Sequence, residues 1–130
     1  MIFALLLMAS QPAPEIDCEE PITQQEMNWC AHQDFLAADA ELNKQWKLTS
    51  AQVKDQDRAY GDATNGENPG YFQTLLEGQR AWLKYRDAHC ASHGNMIGGG
   101  SMAPLIINSC KTRLTKLRST ELGILIGMDG

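Results

Sequence analysis

His89 and His93 stand four residues apart. On a helix that spacing brings both imidazoles to one side, where they could share a metal ion. A third ligand would have to come from Asp87, His32 or another helix, and no motif specifies one. A solvated helix end explains the pair as well, because imidazolium favours the negative end of the helix dipole. Cysteine thiolates could be ligands or nucleophiles, but Cys18, Cys30, Cys90 and Cys110 lack any Cys-x-x-Cys pair. Their spacings of 12, 60 and 20 residues suit two disulfides in a small exported domain better. No Gly-x-Ser-x-Gly elbow is present, and the glycines before Ser101 are followed by no Gly-Lys-Ser/Thr. A helix N-cap accounts for Ser101. The carboxylates of Glu19-Glu20 and of Asp55 and Asp57 sit in polar surroundings. The reading is a non-enzyme with no metal and no cofactor.

These groups need helices to position them. Thr23-Gln-Gln-Glu26 is a capping box, and Met27, Cys30, Ala31, Phe35, Ala38, Leu42 and Trp46 recur behind it at helical steps. One helix over about 24–60 is predicted, with a break near Thr49-Ser50 as the alternative. Residues 61–70 are turn chemistry. Asn68 as cap and Pro69 at a first helical position begin a helix over about 69–93, which Gly94 ends. Leu75, Leu76, Gln79, Trp82, Leu83, Arg86 and Cys90 form its inward stripe. Ser101 opens the last helix, about 102–125, striped by Leu105, Ile106, Cys110, Leu114, Leu117, Glu121 and Leu122. Nothing reads as a strand. The expected fold is all-α: an antiparallel three- to four-helix bundle stapled by two disulfides. Three pairings are formally possible; Cys18–Cys30 and Cys90–Cys110 are favoured because each closes a short local loop.

The 130 residues amount to one domain, and a net charge of -5 disfavours nucleic acid or an anionic membrane as partner. Residues 1–13 carry no charge, and the apolar run from Ile2 to Ala9 is too short to span a bilayer. It fits the core of a secretory signal peptide. The missing basic segment before it points to a true start upstream of Met1; packing of this stretch on the fold is the alternative. Glu15, Ile16 and Asp17 before Cys18 are not a lipid-attachment triplet. The expected product is therefore a periplasmic or secreted domain, residues 14–130, with no stable membrane anchor once the signal is removed.

Asp39, Asn43, Arg86, Asp87, Arg118 and Glu121 fall on otherwise apolar faces. A buried charge needs a partner, so an interhelical network that fixes register is the favoured reading, with a binding patch as the other. The connection Met96, Ile97, Gly98, Gly99, Gly100, Ser101, Met102 pairs apolar side chains with glycines that permit close backbone approach. It is the candidate protein-binding loop, against a plain turn whose Met and Ile cap the bundle end.

Cys18, Thr23-Gln24, Met27-Asn28-x-Cys30, Ala38-Asp39-x-x-Leu42-Asn43, Gln79-x-x-Trp82-x-x-x-Arg86-Asp87-x-x-Cys90, Gly99-Gly100-Ser101, Cys110 and Leu114-Thr115-x-x-Arg118-x-x-Glu121-Leu122 recur in order. Together they resemble the lysozyme inhibitor LprI-like N-terminal domain family, over about residues 17–123. The resemblance implies a small exported bacterial helical domain. It also implies a protein partner, with lysozyme, blocked by occlusion of its cleft, as the specific expectation. A structural or envelope-stress domain with another partner is the alternative.

Overall fold

The computed structural model describes residues 15–61 and 70–127. The signal stretch and the Asn68-Pro69 helix start lie outside the described residues. Among the described residues three helices follow in order: α1 (Gln24–Tyr60), α2 (Tyr71–Met96) and α3 (Ala103–Leu125). No strand occurs among the described residues.

α1 starts where its capping box places it. Thr23 Oγ1 accepts the Glu26 backbone N–H at 3.1 Å, and Glu26 Oε2 accepts the Thr23 N–H at 3.1 Å. The helix then runs 37 residues without a break at Thr49-Ser50. Both residues are buried in its packed face, and Thr49 donates its hydroxyl to the Leu122 carbonyl of α3 at 3.0 Å. Tertiary packing carries the helix through two residues of middling propensity.

α2 takes Gly70 as N-cap, which has no side chain to offer. Asp57 of α1 supplies the acceptors instead, receiving the N–H of Tyr71 at 2.7 Å and of Phe72 at 3.0 Å. At its other end α2 passes through Gly94 and ends at Met96. A β-carbon on Gly94 would lie 2.8 Å from Ile107 Cδ1, so this glycine lets α2 and α3 approach closely. Chain reversal falls to Gly98, at φ 79°. The Gly98 N–H bonds to the Asn95 carbonyl and the Gly99 N–H to the Gly94 carbonyl, both at 3.0 Å. That pair is a Schellman closure. Ser101 is not the N-cap of α3; Met102 is, with no side-chain cap bond.

Partners along the helices show their register. Asp39 and Asp57 of α1 meet Arg86 and Tyr71 of α2, so the numbers run oppositely. Cys90 and Gln79 of α2 meet Cys110 and Arg118 of α3 in the same opposite sense. α1 and α3 run alongside, with Asn28 joined to Ser101 and Thr49 to Leu122. The core is narrow: Ala31, Ala38, Leu42, Val53 and Leu122, with Cys30, Cys90 and Cys110. Leu83 and Leu117, read as inward, are exposed. Among the three helices of the described residues, each inward stripe is narrower than its apolar residues.

Candidate functional site

Both disulfides join the expected partners, Cys18–Cys30 and Cys90–Cys110, each with Cα atoms 5.5 Å apart. The first pins the N-terminal arm to the second turn of α1. The second ties α2 to α3 at the end that carries the glycine connection.

At that end the chain from Met96 to Met102 forms a bare apolar tip. Met96 is 86% exposed, and Ile97 and Met102 are also exposed. Gly98, Gly99 and Gly100 all have φ between 73° and 79°. Three successive left-handed residues are open only to glycine at low cost, so the tip's shape is written into its composition. The base of the tip is held: Asn28 Nδ2 of α1 donates to the Ser101 carbonyl at 2.8 Å, and the Ala103 N–H bonds to the Gly100 carbonyl at 3.2 Å. Ile22, 86% exposed, precedes α1 at the same end. The arm that Cys18–Cys30 fastens there carries exposed Glu15, Asp17, Glu19 and Glu20. The result is an anchored apolar tip beside an acidic arm.

The polar set lies at mid-bundle. Arg86 is 7% exposed. Its Nε donates to Asp87 Oδ1 at 2.9 Å, and its Nη1 to Asp39 Oδ1 and Thr115 Oγ1, both at 3.4 Å. The guanidinium also lies over Phe35 at 5.0 Å and Trp82 at 5.3 Å. Arg118 covers Trp82 from α3 at 5.9 Å, while donating to Gln79 Oε1 and Glu121 Oε2 at 2.9 Å each. One tryptophan is thus shared by two cations from different helices. Asn43 is exposed and takes no part in these bonds. Phe35, Gln79 and Thr115 are members that charge alone did not mark, since an aromatic face and neutral acceptors look like ordinary core.

An open cleft of about 420 Å³ lies between α1 and the start of α2, walled by Trp46 and Phe72 and edged by Lys54 and Arg58. Lys54 sits over the Phe72 ring at 4.4 Å, and Arg58 is paired with Asp55. The lysines and arginine of this face follow α1 spacing, but the second wall comes from α2 and was invisible in the α1 pattern.

His89 and His93 lie together, with ring centroids 4.8 Å apart, and Tyr85 stacks on His89 at 5.1 Å. Asp87 turns instead to Arg86, and His32 faces Asn108.

The fold and site define a disulfide-stapled helical domain with an exposed apolar tip. The profile of the lysozyme inhibitor LprI family matches residues 17–122, and the chain belongs to that family. It is also 41% identical over 123 residues to an uncharacterised protein of Rhizobium meliloti (strain 1021), covering 92% of this chain and 88% of that one. No solved structure matches it.

Proposed function

We propose that this chain is an exported protein-binding domain that inhibits a lysozyme by placing the Met96–Met102 tip in the enzyme's cleft. The observation that carries the reading is the anchored, exposed apolar tip beside the acidic arm, in a member of a family named for lysozyme inhibition. Met96, Ile97 and Met102 offer apolar surface that water solvates poorly, and the glycines let backbone approach an enclosing wall. The acidic arm and the net charge of -5 favour a basic partner and speed its encounter. Because Asn28 and the Cys90–Cys110 staple hold the tip in place, little order is lost on docking. Inhibition is stoichiometric, with no turnover. Two disulfides in so small a domain support export to an oxidising compartment.

The test is titration of purified protein against several lysozymes, read by cell-wall lysis. One equivalent is expected to suppress lysis by at least one of them. Met96→Asp with Met102→Asp should weaken that inhibition more than tenfold while the melting temperature stays within a few degrees, since both side chains are exposed. A folded protein that inhibits none at stoichiometric excess removes the reading.

A further inference from the structure

We infer that the chain contains a latent site for a zinc-class divalent cation, formed by His89, His93 and Cys110 and closed by the Cys90–Cys110 disulfide. One imidazole nitrogen from each histidine and Cys110 Sγ all lie within 4.8 Å of one another. In a tetrahedral zinc site, Zn–N of about 2.0–2.1 Å and Zn–S of about 2.3 Å place two nitrogens and one sulfur roughly 3.3–3.6 Å apart. Inward rotation of the side chains would have to close the difference. His89 and His93 are half-buried, so one edge of the cluster opens to solvent for entry of the ion, while Cys110 supplies the floor from α3. Tyr85, stacked on His89, limits that ring's rotation. Three protein donors leave a fourth position for water.

In the oxidised chain Cys110 Sγ is bonded to Cys90 Sγ and has no thiolate to give. Two imidazoles alone make a weak site. A dithiol reductant that transfers two electrons and two protons to the disulfide, itself becoming a disulfide, leaves thiols at Cys90 and Cys110. Metal binding then displaces the Cys110 proton to solvent, and the neutral imidazoles bind through their lone pairs. The ion joins α2 through His89 and His93 to α3 through Cys110, the same two helices the disulfide joins. Metal and disulfide are thus alternative staples of one hairpin.

Cys90→Ser tests this without any reductant, because it frees Cys110 beside both histidines. Titrated with cobalt and then zinc, C90S is expected to bind one equivalent and show a thiolate-to-cobalt charge-transfer band. Its zinc affinity should exceed that of the oxidised wild type and of Cys110→Ser by at least tenfold. Adding His89→Ala or His93→Ala to C90S should each lose at least tenfold. If C90S loses helix without the disulfide, one equivalent of zinc should restore it by circular dichroism. The proposal falls if C90S takes up no zinc, if C110S binds as tightly, or if an unfolded C90S stays unfolded with zinc.

Discussion

Arg86 shows how one side chain can be both expensive and necessary. Burying a guanidinium forfeits hydration, and the bonds to Asp39, Asp87 and Thr115 with the flanking Phe35 and Trp82 rings offset that loss. Arg86→Ala strips Thr115 of its partner and leaves a void between two aromatic faces. It should cost about 2–3 kcal/mol, a fall in Tm on the order of 10 °C in a thermal melt followed by circular dichroism. Arg86→Lys keeps charge but not the planar fork, so an intermediate loss is expected. An Arg86→Ala melt unchanged from wild type would show that the network fixes nothing. That Arg86 must be partnered was legible from its place on an apolar stripe; which carboxylate would serve was not, because Asp39 lies 47 positions away.

At the scale of elements, α2 depends on α1 to begin. Asp57 accepts the first two N–H groups that Gly70 leaves without a side-chain cap. Asp57→Ala should cost about 1 kcal/mol, the usual worth of an N-cap. Hydrogen exchange should localise the change to the first turn of α2, and Asp57→Asn should recover part of it. Equal exchange across α2 in wild type and Asp57→Ala would contradict this cap. Local pattern had no access to a cap borrowed across 14 residues, nor to the close approach that employs Gly94 inside a helix rather than beyond its end.

For the whole molecule, the buried apolar set is small, and three of its eight described members are half-cystines. The staples therefore bear much of the stability, but unequally. Cys90–Cys110 closes 20 residues and joins two packed helices, so replacing both with Ser should cost about 3 kcal/mol and lower Tm by roughly 10–20 °C. Cys18–Cys30 holds an arm whose residues are mostly exposed. Replacing both of its cysteines should free the arm and cost about 1 kcal/mol or less, because the bundle no longer needs the arm in place. Paired melts of the two double variants decide between this division and equal shares.

Sequence alone determined the helical class, the start of α1 and the glycine tip. Each rests on short-range chemistry: 3.6-residue periodicity, reciprocal Thr23–Glu26 bonds, and left-handed backbone that suits glycine. It also favoured the disulfide pairing, since short loops close cheaply. Only the tertiary structure decided the unbroken course of α1, the Asp57 cap, the role of Gly94 and the exposure of Leu83 and Leu117. It likewise brought Cys110 beside His89 and His93, and Thr115 and Asp39 to Arg86. These depend on how helices distant in sequence lie against one another, and a helical repeat says which face turns inward without saying what it meets.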